Sequence, residues 1–270
     1  MGTNAPTQAR KRAKPQRAGQ MLKRAFMRAQ RMRTKPKIAI IDYGAGNIAS
    51  VANALEKCGA KTIIAKTPAA METSGIQTRK AATQNSDVQA QKGAKTSSAA
   101  KFAACLQKAD AIVLPGVGSF SCAKNISKIR APLLAAMEKK PFFGICLGMQ
   151  LLFSNSEEAK GSGLGIFEGK VRRLKCKKLP NVGWRSISIK GKSLLFAGIK
   201  KPVFYFCHSY AIRGSKRTSA LSCAGSDKFV CALEKGNTFA VQFHPEKSGP
   251  NGLKLLSNFV KIVQGASKCR

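Results

Sequence analysis

KIAIIDYGAGNIASVANALEKCG, residues 37–59, is the stretch that decides the fold. A short apolar run, KIAIID, is long enough for a buried strand and too short for a helix. GAGN follows, then apolar residues at helical spacing through Ala54 and Leu55 to Cys58, and Gly59 closes the pattern. Strand, glycine turn and helix in that order open an α/β domain. KTIIAK, residues 61–66, reads as the second strand.

The same grammar recurs downstream. AIVL, residues 111–114, predicts a strand ending in the turn PGVG, with a helix containing Pro132 running on to about Lys139. PFFGI, 141–145, predicts a buried strand, and LGMQLLF, from Leu147, the start of a helix. From Gly169 the pattern becomes β-rich: KVRRL, WRSISI, PVFYFC, TSALSC, FVCAL and FAVQF. A last helix is expected from about Gly252 to Val263. Parallel α/β units followed by antiparallel additions predict one three-layer α/β domain with a mostly parallel central sheet.

Two regions fall outside this grammar. Twelve of the 48 basic residues lie between Arg10 and Lys37, and residues 1–36 hold no acid. Such a segment buries too little apolar surface to offset its ordering entropy, so residues 1–36 are expected to be a disordered basic extension. Three roles stay open for it: a solvated extension, an arm for nucleic acid or a partner, and an organellar transit peptide. From Thr73 to Lys101 the only large aliphatic residues are Ile76 and Val88. Residues 68–100 are therefore expected to be a low-complexity loop inserted into a domain spanning 37–265, with 266–270 as a tail.

The 270 residues carry 48 basic and 12 acidic side chains, a net charge of +36. That excess favours contact with polyanions and says nothing about the fold. No run approaches the roughly 18–20 apolar residues of a membrane helix, which predicts a protein without a membrane span. Nine cysteines, an odd number without a CxxC pair, fit reduced thiols in the cytoplasm. With only two histidines, a Cys/His zinc site has little material, and no metal is expected.

Two short motifs supply chemistry. In GICLGMQ, residues 144–150, Cys146 lies between a strand and a helix with glycine two positions away on each side. That is the thiol form of a nucleophile elbow, where neighbouring side chains would collide. A helix starting at Leu147 would turn its positive end toward the sulfur. In QFHPEKS, residues 242–248, Glu246 stands two residues after His244. In an extended segment those side chains point the same way, so Glu246 can accept the Nδ1 proton of His244 and leave Nε2 to the thiol. The backbone N–H of Leu147 and the glycine-rich PGVG turn, 115–118, are candidate donors to an oxyanion. His208 fits a packing or hydrogen-bonding role at least as well as catalysis, and Trp184 fits a core or an interface. Gly44, Gly46 and Ala49 imitate a dinucleotide fingerprint, but the acid required about 20 residues on is missing; no nicotinamide cofactor is expected.

GICLGMQ together with FHPE resembles the class I (triad) glutamine amidotransferases. IDYGAGN (41–47), PGVGSF (115–120), GLGIFEGKV (163–171), FYFCHSY (204–210) and QFHPEKSG (242–249) narrow the likeness to the glutaminase subunits of imidazole glycerol phosphate synthases. The resemblance covers roughly 37–66 and 108–264. It implies a flavodoxin-like three-layer fold, glutamine hydrolysis without a cofactor, and transfer of ammonia to a cyclase subunit in histidine biosynthesis. It implies Cys146 as nucleophile, His244 as base and Glu246 as its orienter. Val117, Gly118 and Leu147 would stabilise the oxyanion. Gly116, Gln150 and the Ser209–Tyr210 backbone would hold glutamine, with Asn47 and Lys247 toward the partner. The chain departs from the pattern at Asn181, where histidine or glutamine is expected, at Arg185, where asparagine is expected, and at Ala211 in place of tyrosine. Two other readings remain: a glutaminase for another synthase, of the vitamin B6 type, and a basic nucleic-acid-binding protein on an amidotransferase scaffold.

Overall fold

The computed structural model describes residues 35–71 and 97–266. Strand β1 (Lys37–Asp42) leads through the GAGN turn into helix α1 (Ile48–Lys57) and strand β2 (Lys61–Lys66). Helix α2 (Ser98–Lys108) precedes β3 (Ala111–Leu114). Then come α3 (Ala123–Ser127), α4 (Arg130–Lys139), β4 (Phe142–Ile145) and α5 (Leu147–Gln150). The second half is mostly strand: β5 (Phe153–Ser156), β6 (Phe167–Arg173), β7 (Asn181–Ser186), β8 (Ser188–Ile189), β9 (Val203–His208), β10 (Tyr210–Ile212), β11 (Thr218–Ala224), β12 (Asp227–Lys235) and β13 (Thr238–Val241). Helix α6 (Gly249–Ala266) ends the described chain.

The main sheet runs β2-β1-β3-β4-β13-β12-β10-β6-β5, with β11 and β8 attached beyond β12. From β2 to β13 neighbouring strands are parallel; β13, β12, β10 and β6 then pair antiparallel. Strands β7 and β9 form a separate antiparallel ribbon. The predicted three-layer architecture is therefore present. Alternation along β1 sends Ile38 and Ile40 to one face, with Val51 and Leu55 of α1 and Phe259 of α6. Ala39 and Ile41 go to the other, with Phe102 of α2 and Leu133 of α4. Each large side chain so buried contributes about 1.5–3 kcal/mol.

Five local expectations need correction. The helix foreseen up to Lys139 is broken into α3 and α4. Pro132 is the third residue of α4, where its missing N–H falls among donors that have no intrahelical partner anyway. The helix after Cys146 lasts four residues, because the chain turns at Leu151 to enter β5. Its dipole on the sulfur is correspondingly short. Trp184 is 57% exposed on the β7–β9 ribbon, which removes the core reading. Finally, both edges of the 68–100 segment are helical, at 68–71 and from Ser98, where the Ser97 hydroxyl accepts from Ala100 N–H and caps α2. Ala266, placed in the tail, still belongs to α6. The rest of the expected insert, most of the basic extension and residues 267–270 lie outside the described residues.

Candidate active site

Strands β1, β3, β4 and β13 are neighbours and parallel, so their carboxyl ends open on one edge of the sheet. That edge is where open α/β sheets bind ligands. It gathers the GAGN turn, the PGVG turn, Cys146 and the segment from Gln242 to His244.

Cys146 has φ +54°, the only positive φ at a non-glycine among the described residues. Such a backbone stores strain and persists only where the surroundings impose it. Here they do. Its N–H donates to Val241 O at 2.8 Å, tying the elbow to β13. A Cβ on Gly148 would lie 1.9 Å from Leu114 O, and one on Gly144 would lie 2.9 Å from Gly148 O. Only glycine fits at either place, which is the steric reason for the G-x-C-x-G spacing.

The second arm arrives on β13. Phe243 points into an aromatic cluster, stacked on Phe204 with centroids 4.1 Å apart and flanked by Phe196 and Phe206. Its neighbours Gln242 and His244 face the opposite way, toward the elbow. His244 N–H donates to Tyr205 O at 2.9 Å, and Tyr205 N–H donates to Ser248 Oγ at 3.0 Å. The chain does not stay extended after His244, as the i, i+2 argument assumed. Pro245–Lys247 form a 3-10 turn. A Cβ on Gly252 would sit 1.9 Å from Pro245 O, so α6 lies directly against this turn. The turn still delivers Glu246: its Oε1 is 2.8 Å from His244 Nδ1. Glu246 Oε2 is buried without a hydrogen-bond partner among the described residues.

The His244 ring is thus held by Glu246 on one side, with the Cys146 thiol close enough to act on its charge. Burial alone would depress its pKa. The Glu246 bond and the proximity and charge of Cys146 and Glu246 outweigh burial and raise it to about 10. A thiol, an imidazole and a carboxylate therefore stand in sequence, the residue types that nucleophilic catalysis combines.

The other expected residues divide. Gly116 is sterically required, since a Cβ there would meet Tyr43 Oη at 2.4 Å and Leu147 Cβ at 2.7 Å. Gly118 has φ +114°, and Val117 beside it is 38% exposed. Leu147 follows the sulfur directly at the start of α5. Gln150 is buried, and its Nε2 donates to Tyr210 O at 2.9 Å and to Gln242 Oε1 at 3.0 Å. Both of its amide hydrogens are therefore spent inside the protein. The carbonyls of Ser209 and Tyr210 are also engaged, by Leu174 N–H and by Gln150 and His208. Asn47 precedes α1 without a side-chain capping bond, and Lys247 is exposed beside the His244 turn. His208 is a structural hydrogen-bonding residue, bonded to Asn181 and to Tyr210 O.

Two residues escaped the sequence reading. Tyr43 is fully buried, and its hydroxyl donates to Pro115 O at 2.8 Å, clamping the PGVG turn. Burial pushes its phenol pKa well up, helped by Cys122 and Cys146 nearby, so it remains a donor. Gln242 Nε2 donates to Cys146 Sγ at 3.6 Å. Its place two residues before His244 on a strand end was a readable signal.

Among the described residues the eight cysteines are free, no group of three His, Cys, Asp or Glu is arranged to hold a metal, and no helix is long and apolar enough to cross a membrane.

Comparison with known proteins agrees with this geometry. The family "Glutamine amidotransferase class-I" matches residues 39–263. The imidazole glycerol phosphate synthase subunit HisH of Pyrobaculum aerophilum is 34% identical over 84% of this chain and 98% of its own. That of Methanocaldococcus jannaschii is 38% identical over 84% of this chain and all of its own. The solved structure of PurLQS from Thermotoga maritima shares the fold, with a TM-score of 0.57 at 18% identity, covering 85% of this chain and 99% of that one. With the elbow cysteine, its histidine and the motifs around them, these matches establish that the chain belongs to the class-I glutamine amidotransferases, in the branch of the HisH subunits.

Proposed function

We propose that this chain hydrolyses glutamine to glutamate and ammonia with Cys146, His244 and Glu246, and passes the ammonia to a cyclase subunit. Cys146 Sγ attacks the side-chain amide carbon while His244 holds the thiol proton. The tetrahedral oxyanion is met by the N–H of Leu147 and by that of the Val117–Gly118 peptide. His244 gives its proton to the departing ammonia and leaves a glutamyl thioester. Water, deprotonated by the same imidazole, then releases glutamate. Glu246 holds the ring in the required tautomer and supports its positive charge. Gly116, Gln150 and the Ser209–Tyr210 backbone border the space for glutamine.

The cyclase would join the ammonia to a ribotide, yielding imidazole glycerol phosphate and an aminoimidazole carboxamide ribotide in histidine biosynthesis. Asn47, Lys247 and the exposed Trp184 face such a partner. The working unit is then a cytoplasmic heterodimer built on a domain over residues 37–265. The net charge of +36 further favours nonspecific polyanion contact, which salt would weaken.

The observation that carries this reading is His244, bonded to Glu246 at 2.8 Å and close enough to Cys146 for the thiol to raise its pKa. The test is glutamate release by the protein alone, and with a cyclase subunit and its ribotide ligand. Stimulation by the partner, lost in Cys146→Ala, supports both halves of the proposal. Turnover that survives Cys146→Ala removes the triad. If the Val117–Gly118 peptide must rotate to aim its N–H, Val117→Gly should raise the activity of the unpartnered protein, by up to about a hundredfold, the low end of one oxyanion donor's worth. An unchanged rate would remove the gate.

A further inference from the structure

The hydrogen bonds behind Cys146 have only one consistent set of directions. Tyr210 O is a backbone carbonyl and can only accept. Gln150 therefore turns its NH2 toward it, and the second hydrogen of that NH2 reaches Gln242 Oε1. With its oxygen so engaged, Gln242 presents its own NH2 to the sulfur at 3.6 Å. The far side of the same carbonyl is equally determined. His208 Nδ1 donates to Tyr210 O at 2.9 Å, which leaves Nε2 to accept from Asn181 Nδ2 at 3.0 Å. Asn181 Oδ1 then accepts from Arg185 Nε on the β7–β9 ribbon. A continuous run of bonds extends from the ribbon to the nucleophile. Gln150, Gln242, Asn181 and His208 are all buried, so no water competes for their orientation.

We propose that Gln242 is a further catalytic residue, whose amide N–H is a fixed donor to the Cys146 sulfur. The proposal rests on Cys146 being the nucleophile. A neutral donor aimed at sulfur favours the anionic form. It also makes that anion a slightly weaker nucleophile, because intrinsic reactivity falls as the anion is stabilised. An amide has no charge to compete with the His244 imidazolium, and the Gln150 bond prevents it from rotating away. Two polar groups thereby contact the sulfur, Gln242 as donor at 3.6 Å and the Cys207 carbonyl as acceptor at 3.9 Å, with the charge of His244 nearby.

The test is the rate at which iodoacetamide alkylates Cys146 in the full-length protein, followed by mass spectrometry of its peptide from pH 5 to 10. Exposed Cys207 and Cys223 serve as internal references. Gln242→Met keeps the side-chain length and removes the donor. The expected result is an upward shift of the half-maximal pH by about one unit, with a plateau rate a few-fold higher than that of the parent. A purely structural Gln242 would do neither. The double variant Gln150→Met/Gln242→Met removes the orphaned amide as well as the donor. It should keep the shifted profile; a return to the parent profile would overturn the proposal, as would superposition of Gln242→Met on the parent. Should Gln242→Met fail to fold, Gln242→Asn carries the same test, since it stays a neutral amide but is one methylene too short to keep its donor on the sulfur. An upward shift supports the donor, and an unchanged profile overturns it. Glutaminase activity surviving in Cys146→Ala would instead defeat the nucleophile assignment, whatever Gln242 does to alkylation.

Discussion

The chain has two histidines, and the fold buries both yet treats them in opposite ways. His244 sits between a thiol and a carboxylate, and these overcome burial to raise its pKa to about 10. His208 sits among an amide, a backbone carbonyl and two aromatic rings, Phe206 and Phe229. Burial lowers its pKa to about 4; the bond to the Tyr210 carbonyl opposes this, and the charges of His244 and Arg185 add to the lowering. Burial is common to both environments, so the partners decide the charge. An imidazole that must carry a proton is placed beside groups that can be anionic. One that must hold a single tautomer is placed beside groups that cannot. On the proposed mechanism, the difference separates a ring that moves protons from one that keeps a scaffold in register.

The widest break in this pairing should appear in turnover. His244→Gln should reduce glutamate release by at least about a thousandfold, since it removes the proton carrier of a nucleophile–base pair. His208→Gln can still donate to Tyr210 O and accept from Asn181, and should cost less than about tenfold. Steady-state assays of the two variants with the partner present decide the matter. Equal losses would mean that His208 works in the chemistry too, and that the contrast of environments misleads.

The second contrast lies in stability against pH. The unfolded chain protonates both rings near pH 6.5. Folded His208 does so only near 4. Between those values the unfolded state binds the extra proton, so stability rises with pH across that window. Folded His244 keeps its proton until about pH 10. From pH 6.5 upward the folded state holds the extra proton, and the stabilisation fades as pH rises toward 10. His208→Gln should flatten the acid limb, a linkage of up to about 3 kcal/mol, and leave the alkaline limb in place. Urea titrations from pH 4.5 to 9 would show it. An acid limb of unchanged slope in His208→Gln would break the assignment of a neutral ring.

The same contrast explains what the sequence could reveal. His244 was legible because its partners are close in sequence or fixed by glycines: Glu246 two residues away, and Cys146 held between Gly144 and Gly148. Chemistry and steric necessity both leave marks in residue type. The role of His208 was legible only as an absence of partners, because Asn181 reaches it across the pairing of β7 with β9, and Tyr210, though two residues on, offers a backbone carbonyl that residue type does not encode. No local pattern announces such neighbours. The parallel half of the sheet was readable from apolar runs and glycine turns. The short α5 was not, since Leu151, Leu152 and Phe153 are buried whether the chain continues as helix or turns into β5. The break before α4 did leave a signal in Pro132, which requires a helix start close behind it.

The smallest effect concerns Arg185, at the outer end of the run that passes through His208. Its guanidinium is half-buried, and Nε donates to Asn181 Oδ1. Removing it has two consequences for the ring. Asn181 loses one of its two anchors, but its NH2 still has His208 Nε2 as acceptor, so the tautomer is retained. The positive charge that helps keep His208 neutral also disappears, although burial remains the larger cause. Arg185→Leu should therefore narrow the acid window slightly, by a few tenths of a kcal/mol, and alter glutaminase activity less than about threefold. Urea titrations at pH 5 and 7, paired with glutamate release, measure both. A loss beyond tenfold with the acid limb unchanged would place the control of the buried amides in Arg185 rather than in the Tyr210 carbonyl. The two histidines would then differ less by their immediate partners than by a cation on the surface of the β7–β9 ribbon.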